Sequence, residues 1–294
     1  MDPFAPRTAA LDYWFWKFHV GDLGFLVDVI ARRHSGRAEV RVSLWLEGRG
    51  RVIHAETSDW SASPDEIVVG PTRLRPNGCA GSAGDVSWDL GWDVGGAIVT
   101  PLPGPMAALE PFDTTVLTWP LARFVGWVQV GDRRFDVADV PGAFYHYWGR
   151  SLSSRWVWLS ATQFEDEPDR RLEAIVAIRT RLFGGLRYPV TLGYVWSTDG
   201  RRADLTVSTI NGLVRAHPIR GGIAIDSVRL GGPRHRIAAT WGDVLPNDIG
   251  EGILQTMHAD VVVDGHRGVP ATAGLETRAW PSEADVAAMP ANKG

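Results

Sequence analysis

The sequence predicts an all-β protein, built of antiparallel strands closed into barrels or sandwiches. Three observations carry this. Apolar residues alternate with polar ones at period two instead of recurring every three or four residues. Turn signals rich in glycine and aspartate separate the alternating segments. Helical patterning is nearly absent: Ser282–Met289 alone has the composition of a short helix, and it reads equally well as a disordered tail.

The alternation is clearest from Arg37 to Glu47. Ala38, Val40, Val42, Leu44 and Leu46 fall on one face, and Glu39, Arg41, Ser43, Trp45 and Glu47 on the other. Trp14, Trp16, Phe18 and Val20 likewise share a face, and Gly21-Asp22-Leu23-Gly24 turns the chain into a second strand from Phe25 to Ile30. Further turn signals are Gly131-Asp132, Asp199-Gly200, Asn211-Gly212 and Asp264-Gly265. Glycine supplies the positive φ of such turns, and Asn or Asp tolerates it. Residues 58–84, rich in Gly, Pro and Ser, read as a long loop with at most one strand near Glu66–Val69. Asp166–Arg171 reads as a solvated charged break. Pro141-Gly142 divides the chain, giving expected β domains over 1–140 and 141–294.

Composition excludes several classes. With a formal net charge of -4 and no basic block, the chain has no nucleic-acid footprint. The single cysteine, Cys79, forms no internal disulfide and no cysteine-rich zinc module, and fits a reducing compartment. No basic region followed by an apolar run opens the sequence, and no apolar stretch approaches the ~20 residues of a spanning helix. The expected address is the cytoplasm. Metal-binding spacings of the His-Glu-x-x-His, Cys-x-x-Cys and His-x-His kinds are missing, so no metal is expected. Gly78–Gly84 lacks the Lys-Ser/Thr of a phosphate loop and runs into the strand pattern Asp85–Leu90, so no nucleotide is expected either. Ser82 has Ala80 where a nucleophile elbow needs its first glycine. No cofactor is implied, and oligomeric state is left open. The 14 scattered tryptophans suit either a bulky β core or an aromatic-lined cavity.

The strongest local signal runs from Gly142 to Arg150 and then through Arg155-Trp156-Val157-Trp158-Leu159. Period two places Trp156, Trp158, Ser160, Thr162 and Phe164 on one strand face, a suitable wall for an apolar cavity with a few polar contacts. His146 shares a face with Trp148. Its imidazole is a proton donor or orienting group, or else a core histidine bonded to backbone. Asp89 and Asp93 flank Leu90-Gly91-Trp92; Asp89 is a carboxylic acid in an aromatic cavity or a turn aspartate. His217, His235, His258 and His266 read as surface residues.

Phe144-Tyr145-His146-Tyr147-Trp148-Gly149 followed by Trp156-x-Trp158 resembles the His-x-Trp-Gly…Trp-x-Trp signature of the lipocalin-like hydratase/cyclase proteins, a group that includes tocopherol cyclases, carotenoid 1,2-hydratases and Diels-Alderase-type cyclases. Ser87-Trp88-Asp89 resembles the group's Ser-Trp-Asp segment, and the matching pieces span about Gly84 to Phe164. The resemblance implies two lipocalin-like β-barrels or half-barrels packed together, and a hydrophobic small molecule, isoprenoid or polyketide in kind, held in an aromatic cavity. It implies protonation of a double bond and capture of the cation by water or an internal hydroxyl. On this reading His146 and Asp89 are catalytic, and Trp148, Trp156, Trp158, Trp88, Tyr147 and Ser160 bind substrate. The carotenoid hydratases carry a Tyr-x-Asp on the strand after the motif. Leu172–Arg179 here has neither residue, and Glu173 is the substitute if it faces inward. Two functions follow: a cofactor-independent cyclase, isomerase or hydratase, or a carrier that binds an apolar ligand without reaction.

Overall fold

The computed structural model describes residues 4–94, 98–99, 114–150, 155–181, 187–196, 202–205, 214–228, 234–242 and 246–279. The expected turns at Asp199-Gly200 and Asn211-Gly212, and the segment Ser282–Met289, lie outside them. The chain divides into two compact units, Met1–Thr100 with Asp113–Leu152, and Pro101–Phe112 with Ser153–Gly294. Almost all of the described backbone is strand, as expected.

The first unit starts with four long strands, β1 (Leu11–Val20), β2 (Leu23–Arg32), β3 (Arg37–Leu46) and β4 (Arg49–Thr57). Four short ones follow, β5 (Trp60–Ala62), β6 (Ile67–Val69), β7 (Thr72–Arg75) and β8 (Gly78–Ala83). β9 (Val86–Asp93), β10 (Thr114–Val130) and β11 (Arg133–Gly149) complete one 11-stranded antiparallel sheet, ordered β4-β3-β2-β1-β11-β10-β9-β8-β7-β6-β5. The sheet curls into a nearly closed barrel, with β3 and β4 brought against β6 and β8. Its interior is a tryptophan-rich core. Trp14, Trp16 and Phe18 come from β1, Trp88, Leu90 and Trp92 from β9, and Phe124 and Phe144 from β10 and β11.

Two expectations are corrected here. Residues 58–84 form β5 to β8, not a loop: Ile67, Val69, Leu74 and Cys79 alternate into the core. Two of the glycines that mimic loop composition, Gly78 and Gly81, are packing residues. A Cβ on Gly81 would stand 2.5 Å from Thr72 Oγ1 and 2.7 Å from the Trp88 ring, so only glycine admits that indole. The boundary expected at 140/141 falls inside β11, and the compact units part at Leu152/Ser153 instead. Gly142 is not a linker glycine: a Cβ there would lie 2.2 Å from the Lys17 carbonyl oxygen, so it permits the close approach of β1 to β11.

The expected hairpin at Gly131-Asp132 joins β10 to β11. On β3 the face bearing Ala38, Val40, Val42 and Leu44 is interior, as the alternation requires. The other face is also buried, with Arg41 at 6%, and Ser43 and Trp45 without exposed surface.

The second unit has β12 (Trp156–Ala161), β13 (Arg171–Arg181), β14 (Arg187–Trp196), β15 (Arg202–Asp204), β16 (Val214–Ile219), β17 (Gly222–Val228) and β18 (Arg234–Thr240). β19 (Asn247–Asp248), β20 (Ile253–Thr256), β21 (Asp260–Val263), β22 (His266–Arg267) and β23 (Ala273–Arg278) follow. One sheet is ordered β15-β14-β13-β12-β23-β20-β19 and the other β16-β17-β18-β21-β22. Val157, Leu159, Val176 and Leu275 of the first pack with Ile223, Ile225, Ile237 and Val261 of the second in one core. The Asp264-Gly265 turn forms as expected, both residues at positive φ. Among the described residues no helix is long and apolar enough to cross a membrane.

Candidate functional site

β1 and β11 are hydrogen-bonded neighbours, with Trp14 opposite His146 and Asp12 opposite Trp148. Period two then points Asp12, Trp14 and Trp16 to the same interior side as Phe144, His146 and Trp148. The result is a carboxylate–imidazole pair among indoles. Nε2 of His146 lies 2.7 Å from Oδ1 of Asp12, and both side chains have 0% exposure. The Trp14 ring stacks on the imidazole at 4.7 Å and 14°. The Trp148 ring stands on the other side at 4.9 Å and 46°.

The segment before β1 covers this pair. The backbone N–H of Arg7 donates to Oδ2 of Asp12 at 2.6 Å, and the Arg7 guanidinium lies 4.9 Å over Trp148. The Trp14 indole N–H donates to the Phe4 carbonyl at 3.3 Å. Arg33 adds an ion pair to Asp12 at 3.7 Å. Chemically, Asp12 fixes the orientation of the imidazole through Nε2.

The other expected residues distribute as follows. Trp88 is a core residue: it packs edge-on against Phe25 at 6.0 Å and its N–H points to Cys79 Sγ at 3.3 Å. Burial pushes the Cys79 thiol up to about 12, which leaves it inert as a nucleophile. Asp89 is corrected. Along β9, Trp88, Leu90 and Trp92 take the interior, so Asp89 and Asp93 face outward and Asp89 is exposed. It sits in no aromatic cavity. Tyr147 is half-buried on the side of β11 opposite His146.

Trp156, Trp158 and Ser160 belong to the second unit, on the face of β12 that points away from its core. Phe164 does not share that face: the strand ends at Ala161 and Phe164 enters the core. Glu173 of β13 lies opposite Ser160, is 4% exposed, and accepts the Trp158 indole N–H at 2.5 Å. Glu173 is expected to substitute only if it faces inward; Leu172, Ala174 and Val176 take the core side of β13, and Glu173 lies on the opposite side, buried beside Trp158. Glu276 lies opposite Trp158 on the other side and accepts from the Gln255 amide. Two buried carboxylates thus flank Trp158 within that sheet.

Asp166–Arg171 is not simply solvated. Arg170 is buried, donates to Glu167 at 2.7 Å, and pairs with Asp264 at 3.7 Å. His235, expected at the surface, is buried against Asp264 at 2.7 Å. Among the described residues no group of three or more His, Cys, Asp or Glu side chains is placed to hold a metal ion.

The residue that sequence reasoning missed is Asp12. Its signal was present: extending the Trp14-Trp16-Phe18 face upstream by one step reaches it.

Residues 106–192 match the tocopherol cyclase-like family. The resemblance read from the His-x-Trp and Trp-x-Trp motifs is thereby supported over the segment that contains both. Uncharacterized proteins from two strains of Mycobacterium tuberculosis are 26% identical over 164 residues, 48% of this chain and 50% of theirs. The chain spans about half the length of these curated relatives. Among solved structures, a Nitrosomonas europaea protein described as an AttH candidate superposes with a TM-score of 0.64 at 13% identity, over 92% of each chain. Kievitone hydratase from Nectria haematococca superposes with a TM-score of 0.61 at 11% identity, over 94% of this chain and 91% of that one. The fold is therefore the all-β, lipocalin-like one expected.

Proposed function

We propose that the protein is a cofactor-independent cyclase, isomerase or hydratase for a hydrophobic substrate of isoprenoid or polyketide kind, with His146 as its proton-transfer group. The observation that carries this is the imidazole of His146 held by Asp12 between the indoles of Trp14 and Trp148. The tocopherol cyclase-like match over this strand and the fold shared with a hydratase support the same reaction class.

In this reading the His146 imidazole gives a proton to a double bond or leaving hydroxyl, and Asp12 keeps the ring oriented through Nε2. The indoles of Trp14 and Trp148 stabilise the carbocation by their negative faces until water or a substrate hydroxyl captures it. Substrate reaches the imidazole when the Phe4–Arg7 segment lifts from the pair. In the second unit, Trp156, Trp158 and Ser160 are proposed as ligand-contacting residues on the face of β12 turned from its core. Glu173 is the carboxylate hydrogen-bonded to Trp158 on that face.

The second reading is a carrier that binds without reaction. The absence of exposed surface on Asp12, Trp14 and His146 favours it, since such a pair also serves to lock β1 to β11. One experiment separates the two. The molecule that co-purifies with the protein from an extract is identified by mass spectrometry and incubated with wild type, His146→Ala and Asp12→Asn. Loss of turnover by roughly 10²-fold or more with binding retained supports the enzyme. Binding with no conversion in the wild type, or full conversion in His146→Ala, overturns it.

A further inference from the structure

The segment from Phe4 to Ala10, which leads into β1, lies outside every strand of the barrel. Where it joins β1 it is anchored, since the Arg33 N–H donates to the Ala10 carbonyl at 3.0 Å. From that anchor it runs over the His146 pair. Phe4 is 5% exposed and belongs to the barrel core, and its carbonyl accepts the Trp14 indole N–H at 3.3 Å. The Arg7 N–H donates to Oδ2 of Asp12 at 2.6 Å, and the Arg7 guanidinium lies 4.9 Å over the Trp148 ring. Asp12, Trp14 and Trp148, which the segment touches, are also the side chains that meet the His146 imidazole.

A segment without ladder hydrogen bonds can leave its seat while the sheet stays whole, because local openings cost less than global unfolding. The buried Phe4 ring gives it one defined seat to return to. A cation over an indole face is electrostatically favoured, and Arg7 already supplies one to Trp148. A substrate cation resting on that face would have to displace Arg7.

We propose that Phe4–Arg7 is an autoinhibitory strap. Phe4 plugs it into the barrel core, Arg7 occupies the Trp148 face that a cationic ligand or intermediate would use, and docking of the strap closes His146 to solvent and ligand alike. The inference rests on the reading of His146 as the reactive group, but the effect of the strap on its accessibility is measured without any turnover.

The test is the rate at which diethyl pyrocarbonate modifies His146 in the full chain, mapped by mass spectrometry, with the exposed His34 as internal reference. In the wild type His146 should react roughly tenfold or more slowly than His34. Phe4→Ala should raise the His146 rate roughly tenfold or more, and Arg7→Gln, which removes the charge and keeps the backbone N–H, roughly threefold, with His34 unchanged in both. The raised rate should stay flat in low urea, as it does for an opening that exposes little surface. Should Phe4→Ala not fold, Arg7→Gln and a urea series on the wild type answer alone. A wild-type His146 as reactive as His34, an unchanged rate in a folded variant, or a rate that climbs with urea at the full slope of global unfolding would overturn the strap. Passing these tests in a protein that converts nothing would overturn the enzyme reading and leave the strap in place.

Discussion

Nε2 of His146 and Oδ1 of Asp12 meet at 2.7 Å although the two residues are 134 positions apart in the chain. The pair couples the first strand of the barrel to its last. Removing either partner breaks a buried hydrogen bond and leaves a polar group behind, a loss of about 1–3 kcal/mol. His146→Ala and Asp12→Ala should each destabilise the protein on this scale in chemical denaturation. The double substitution should cost clearly less than the sum, because the two share one interaction. Strict additivity would show that the pair is not energetically linked.

Asp28 predicts a pH dependence of the opposite sign to that of a salt-bridged carboxylate. Its carboxyl is raised from 3.8 to about 6, chiefly by burial, so the folded state holds a proton that the unfolded state has already released between those values. Stability from this group is therefore fully present below about pH 4 and falls as pH rises toward 6. A rise of about two units corresponds to roughly 3 kcal/mol. The difference in unfolding free energy between wild type and Asp28→Asn should shift by that order between pH 4 and pH 7, against the wild type at the higher pH. A flat difference would mean that Asp28 titrates normally.

The two tryptophans of the Trp-x-Trp pair should respond differently to loss of the indole N–H. Trp158 donates to the buried Glu173 carboxylate, whereas the Trp156 N–H is buried with no hydrogen-bond partner. Trp158→Phe should cost about 1–3 kcal/mol, since it strips a donor from a buried carboxylate. Trp156→Phe removes a donor that has nothing to bond and should be close to neutral. Thermal melts of the two variants side by side provide the check, and equal losses would contradict the assignment.

Gly81→Ala tests the packing of β7 to β9. The added methyl collides with Thr72 and the Trp88 ring, so a cost of about 1–3 kcal/mol is expected, as for other overpacked cores. A shift in tryptophan emission should accompany it. A neutral result would show that Trp88 can move aside.

What the sequence determined by itself was local. The strand faces of Trp14, Trp16 and Phe18 and of Ala38 to Leu44, and the turns at Gly131-Asp132 and Asp264-Gly265, follow from side-chain alternation and from the positive φ that Gly and Asp accept. The His-x-Trp and Trp-x-Trp motifs were legible for the same reason, since each lies within one strand. The tertiary structure alone decided which strands meet and which side becomes interior. Pairing of β1 with β11 brings Asp12 to His146. Curling of the sheet recruits β5 to β8 from a stretch with loop composition and turns Asp89 outward. It is also tertiary burial that makes Asp28 and Glu173 more than surface carboxylates. A strand carries its alternation in its own residues, but its partner and its curvature come from hydrogen bonds and packing with segments far away in the chain, which no local pattern encodes.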